Sequence, residues 1–176
     1  MKNKIILSCL LAVGLSGCTA EFLVITPETS LSSVTFFKTE ADFTQAVNAC
    51  YVPLRTIYND RSYLLAEMHS DNTYYYRNTA FGATEQQEDL ADFSIPVSNN
   101  LTTNTHVLNQ YRQDYLIIAR ANQVLALIDK ADFDAAAKAN LKGQAQFMRA
   151  FAYFEIYRYF NKGPLQLTPV ANREQA

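Results

Sequence analysis

Apolar residues recur at helical spacing in three stretches of the chain. Between residues 40 and 58, Phe43, Ala46, Val47, Cys50, Tyr51, Leu54, Ile57 and Tyr58 fall three and four apart, which predicts a helix with one apolar face. Thr39, with Asp42 three residues on, resembles a capping box at its start. Pro53 lies inside this stretch, where its ring removes one backbone donor and clashes one turn back, so a kink or an end to the first half is expected. From Thr105 to Lys130 the positions Leu108, Tyr111, Tyr115, Ile118, Ala119, Leu125 and Ile128 keep the same intervals, and a helix of about 24 residues follows. Asp132-Phe133-Asp134 supplies a turn and a cap for a third helix over 135–161, which Gly163-Pro164 stops. The last two helices form an antiparallel hairpin.

That third helix is apolar in nearly every direction: Phe147, Met148, Phe151, Tyr153, Phe154, Ile156, Tyr157, Tyr159 and Phe160 encircle it. A helix apolar all round is expected to be buried all round. One long partner and one shorter helix cannot cover such a circumference, and the alternating piece Leu165 to Val170 begins a new element without finishing it. The expectation is an amino-terminal part of a larger helical protein. Residues 59–104 carry few helical repeats and many Asn, Asp, Thr and Ser, so they read as a long loop-rich excursion of the kind that often carries function.

The opening stretch stands apart. Lys2 and Lys4 precede an apolar run from Ile5 to Val13, with small residues at Gly14, Ser16 and Gly17, the layout of a secretory signal. The run is about half the roughly 20 residues a membrane-spanning helix needs. Leu15-Ser16-Gly17-Cys18 resembles a bacterial lipobox. On that reading residues 1–17 are removed and the Cys18 thiol is acylated, two or more chains giving an anchor that a single chain cannot. A plain secretory signal with Cys18 incidental is the alternative. Residues 18–38, with Pro27 and several Ser and Thr, suit an extended tether, and 39–176 the helical domain.

Composition narrows the class. The chain has 176 residues, 49% hydrophobic and 18% charged, the make-up of a globular protein. Its net charge of -2 argues against nucleic acid as a partner. Cys9 leaves with the signal and Cys18 takes lipid, so Cys50 has no disulfide partner and reads as a buried thiol.

Several pieces in order carry a family likeness: a lipobox; Phe22-Leu23 with Pro27; Phe36-Phe37-Lys38-Thr39-Glu40-Ala41-Asp42-Phe43; Ala46 to Tyr51; Ala121-Asn122-Gln123-Val124-Leu125; Leu141 to Phe154; Arg158-Tyr159-Phe160; and Gly163-Pro164-Leu165. Together they resemble the amino-terminal third of a SusD/RagB-family lipoprotein. The resemblance implies a mainly α fold of tetratricopeptide-like helical hairpins, the pair over 105–161 being the first. It implies glycan capture at the outer face of the outer membrane, without catalysis or a cofactor, and delivery to a SusC-like TonB-dependent transporter. Gln144 stands where a glutamate is more usual in the family, which removes an ion pair from that position.

Glycan binding needs aromatic faces for sugar rings and polar groups for their hydroxyls. Within the excursion Asp71, Asn72 and Arg77, with Asn78, bracket Tyr74, Tyr75 and Tyr76, and Asn99 and Asn100 follow. These are the candidate glycan-binding residues, chosen on chemistry; in an extended segment consecutive tyrosines alternate faces, so one or two are expected to pack inward. Glu85, Glu88, Asp89 and Asp92 would share one side of a helix, either as a solvated face or as calcium or glycosidic carboxylates. Glu67, His69 and Asp71 would point one way on a strand, but no second histidine is near, so a surface role is favoured over a metal. Gly-x-Ser-x-Gly and phosphate-cradling glycine loops are missing. Asn122 and Arg149 interrupt apolar surroundings and are expected to satisfy polar groups inside the helix pair rather than bind ligand. A glycoside hydrolase fragment and a peptide-binding or adhesive surface lipoprotein are the rival readings.

Overall fold

The computed structural model describes residues 36–60, 62–76, 80, 85–95, 97–98, 101–102 and 104–170. The chain divides into two units, Met1–Phe36 and Phe37–Ala176, and the helical body belongs to the second. The signal, Cys18 and nearly all of the tether lie outside the described residues. Helix α1 spans Glu40–Asp60, α2 Ser62–Glu67, α3 Glu85–Ala91, α4 Thr105–Leu127 and α5 Ala135–Phe160, with a 3-10 turn at Ile128–Lys130. A two-residue antiparallel ladder pairs β1 (Val97–Ser98) with β2 (Leu101–Thr102) in the register Val97 to Thr102. The fold is mostly helical, as expected, and no described helix is long and apolar enough to cross a membrane.

Caps set the helix ends. The Thr39 amide donates to Asp42 Oδ2 at 2.8 Å while the Asp42 amide donates back to Thr39 Oγ1 at 3.3 Å, the reciprocal capping box. Those bonds, led by the Thr39 amide, hold the Asp42 carboxyl below its usual range. Asn104 caps α4, its side-chain oxygen accepting from the His106 and Val107 amides, and Asp134 caps α5 by accepting from the Ala137 amide.

Pro53 does not end α1, which runs unbroken through it. A proline there leaves the carbonyl of Ala49 without its usual donor. That carbonyl instead accepts from Arg120 Nη1 of α4 at 2.5 Å. The group lost to the ring is satisfied from a neighbouring helix.

Helices α1, α4 and α5 make the body. One cluster joins Phe43 and Val47 of α1 to Val124 and Ile128 at the end of α4 and to Leu141 and Ala145 at the start of α5. A second joins Cys50 and Ile57 to Ile117 and Ile118, and to Met148 and Ile156. Late α4 therefore meets early α5, as in the expected antiparallel hairpin. Each fully buried Ile or Met here contributes about 1.5–3 kcal/mol. A smaller cluster, Leu64, Leu65 and Leu90 with Val107 and Tyr159, seats the excursion on the body.

Two expectations are corrected. The buried row of α4 is Gln110, Asp114, Ile117, Ala121 and Val124, continued by Ile128 of the 3-10 turn, with Ile118 and Asn122 beside it; Leu108, Tyr111, Tyr115 and Leu125 are only half-buried. Helix α5 is buried on one face, through Leu141, Ala145, Met148, Ala152 and Ile156, while Phe147, Phe154 and Tyr157 stay 64%, 58% and 67% exposed. Two neighbouring helices cannot wrap it.

Candidate functional site

The candidate residues Asp71 and Asn72 lie exposed in the turn that leaves α2. Ser70 Oγ donates to the Glu67 carbonyl at 2.6 Å, Thr73 Oγ1 donates to the same carbonyl, and the Asn72 amide donates to Ser70 Oγ. These bonds close the open end of α2, and the chain over 73–76 runs on outside helix and strand. Glu67 ends a helix and His69 stands in a turn, so the strand-like alignment of Glu67, His69 and Asp71 is not realised. The tyrosines alternate: Tyr74 and Tyr76 are 63% and 79% exposed, and Tyr75 is half-buried. Arg77, Asn78, Asn99 and Asn100 lie outside the described residues.

The Asp92 carboxylate beside the Tyr74 hydroxyl, with the Glu88 charge adding to it, holds that phenol above its usual value. Asp92 follows α3. The Phe93 amide donates to the Leu90 carbonyl and the Ser94 amide to that of Asp89, the bonding of a Schellman cap, with Phe93 at the left-handed position, φ 56°. Glycine usually takes that place because a side chain there is strained. Here a phenylalanine does, 61% exposed, and the His69 ring meets it edge-on at 4.0 Å between centroids. Tyr74, Asp92, Phe93 and His69 thus form one connected patch.

His69 also lines a cavity of about 460 Å³ whose walls include Leu65, Leu90, Val107, Arg158 and Tyr159. Arg158 lies over the Tyr159 ring, 4.5 Å from its centroid, and donates to Glu155 Oε2 at 2.5 Å. Gln86 ties α3 to the start of α4: its carbonyl accepts from Asn104 Nδ2 and its side-chain oxygen from the Thr105 amide. The patch therefore rests on the helical body.

Asn122 and Arg149 meet as expected, Arg149 Nη1 donating to Asn122 Oδ1 at 2.9 Å. They also hold something not foreseen, the extended strap after α5. Asn122 Nδ2 donates to the Gln166 and Thr168 carbonyls, Arg149 Nη1 to the Leu167 carbonyl and Tyr115 Oη to the Pro164 carbonyl. Tyr153 Oη donates to the Gln166 carbonyl and accepts from its amide. A second cavity, about 450 Å³, lies between the strap and α4, lined by Tyr111, Tyr115, Ile118, Asn122 and Pro169.

Beneath Arg158 are three buried polar side chains the sequence reading passed over: Gln110 and Asp114, both 0% exposed, and Glu155, 2% exposed. Their signal was present, since Gln110 and Asp114 fall on the same four-and-three spacing as the core residues Ile117, Ala121 and Val124. No group of three or more His, Cys, Asp or Glu among the described residues is arranged to hold a metal ion. Burial drives the Cys50 thiol up to about 11, against a smaller lowering by Arg120, so it is inert at neutral pH.

Comparison with known proteins adds the wider setting. A family model described as "Starch-binding associating with outer membrane" matches residues 21–175. "SusD-like protein P38" of Formosa agariphila is 30% identical over 158 residues, which make up 89% of this chain and 29% of that protein. The chain thus spans less than a third of that relative's length. No solved structure gives a significant match. With the matched stretch covering the helical body, the excursion and the strap alike, the chain belongs to the SusD/RagB family.

Proposed function

We propose that this chain is the glycan-capturing part of a non-catalytic lipoprotein. It is anchored through acylated Cys18 at the outer face of the outer membrane and passes oligosaccharides to a SusC-like TonB-dependent transporter. The observation that carries the glycan reading is the outward display of three aromatic rings, Tyr74, Tyr76 and Phe93, beside Asp71, Asn72 and Asp92. Sugar rings present apolar faces that stack on such surfaces, and carboxylates and amides accept or donate to their hydroxyls. Arg77, Asn99 and Asn100 belong to the same segment of sequence and complete the candidate set, with Tyr75 in a packing role. Family membership supports the outer-membrane setting.

Titration calorimetry against a panel of neutral and acidic oligosaccharides tests this. Loss of a stacking ring costs about 0.5–1.5 kcal/mol, so Tyr74→Ala and Tyr76→Ala should each weaken binding roughly three- to tenfold. Reducing-sugar release would favour the hydrolase reading instead, and binding of peptides in place of any glycan the adhesive one. Cys18→Ser should release the protein from the membrane fraction.

A further inference from the structure

Gln110 Oε1 is the one buried side-chain nitrogen or oxygen among the described residues that lacks a hydrogen-bond partner. Its own Nε2 lies 3.1 and 3.3 Å from the two carboxylate oxygens of Asp114. Both side chains are fully buried. An acceptor left unpaired in such a place costs about 1–3 kcal/mol, and the polar group that the Gln110 amide already meets is Asp114.

We propose that Asp114 is a proton-binding site in the helical body, held as the neutral acid with its O–H donated to Gln110 Oε1, and that its ionisation loosens the packing of α1, α4 and α5. A reorientation of the Gln110 amide that turns both its atoms toward the acid lets Oε1 accept the O–H while Nε2 keeps the other carboxyl oxygen. The surroundings do not favour a second anion. From α5, Glu155 is already buried there and takes the guanidinium of Arg158, with Tyr159 beyond it. From α1 the facing group is Tyr58, and on α2 the described titratable side chains, Tyr63 and Glu67, are exposed.

Burial pushes Asp114 up to about 7; the Gln110 hydrogen bond and Arg158 oppose this and Glu155 adds to it. In the unfolded chain an aspartate titrates near 3.9. The folded protein therefore binds the extra proton between about pH 4 and pH 7. Stability is fullest at the acidic end of that window, falls as the pH rises through it, and does not return above it.

Carboxyl carbon-13 NMR of the chain without its signal, labelled at aspartate, reads the site directly, with Asp114→Asn giving the assignment. The expected result is one aspartate titrating near neutrality, together with a folding constant that falls up to tenfold per pH unit through the window and loses that slope in Asp114→Asn. An Asp114 resonance that titrates in the ordinary carboxylate range overturns the proposal, as does an unchanged slope in the variant. Should Asp114→Asn not fold, the same variant on a Gln110→Leu background supplies the assignment, and the wild-type titration alone decides.

Discussion

At the scale of single residues, the structure is governed by local defects met from a distance. Arg120 replaces the donor that Pro53 removes from α1, so Arg120→Met should leave the Ala49 carbonyl unsatisfied and lower stability by about 1–3 kcal/mol. On a Pro53→Ala background the restored amide can reach Ala49, and the same change should cost less; denaturant unfolding of the four proteins measures the coupling. Gly163 is fixed by space, since a Cβ there would meet Ile156 Cγ2 and the Tyr115 hydroxyl at 2.8 Å. Gly163→Ala should cost about 1–3 kcal/mol of overpacking, read as a lower unfolding midpoint. Phe93 offers the reverse case. Phe93→Gly relieves a left-handed cap worth about 1 kcal/mol, so stability should rise while glycan affinity falls, a split that a merely structural phenylalanine would not produce.

At the scale of elements, the three long helices were legible because caps and periodicity agree: Thr39 with Asp42, Asn104 and Asp134 stand where the apolar rhythm begins. The fate of α1 at Pro53 was not, because the compensating arginine lies 71 residues away. The face of α4 was misread for a different reason. Counting only apolar letters skipped Gln110 and Asp114, and polar side chains can hold core positions when burial is compensated. The excursion yielded its exposed tyrosines and their alternation, but not Phe93, since nothing in a single sequence marks a non-glycine cap. The hold on the strap was not legible, because Asn122, Arg149, Tyr115 and Tyr153, which bind it carbonyl by carbonyl, lie far from it along the chain. Arg149→Met should therefore lower stability by about 1–3 kcal/mol and leave sugar affinity per folded molecule unchanged, which paired unfolding and calorimetry check.

At the scale of the whole molecule, the outward rings of α5 pose the largest unmet demand. Phe147 stacks on Phe151 at 6.5 Å between centroids, and with Phe154 and Tyr157 it makes an apolar stripe along a helix already buried on its other face. Stripes of this kind drive association. The 176-residue chain without its signal should self-associate in sedimentation, and Phe147→Ser with Phe154→Ser should abolish this without lowering the unfolding midpoint. The proposed glycan surface lies on the excursion, so those substitutions should leave sugar binding intact. The most direct measurement is calorimetry of a glycan that the wild-type chain binds, repeated with Tyr74→Ala/Tyr76→Ala. Binding lost with the fold and the unfolding midpoint unchanged is the expected result, and undiminished affinity would contradict the assignment of these rings to sugar.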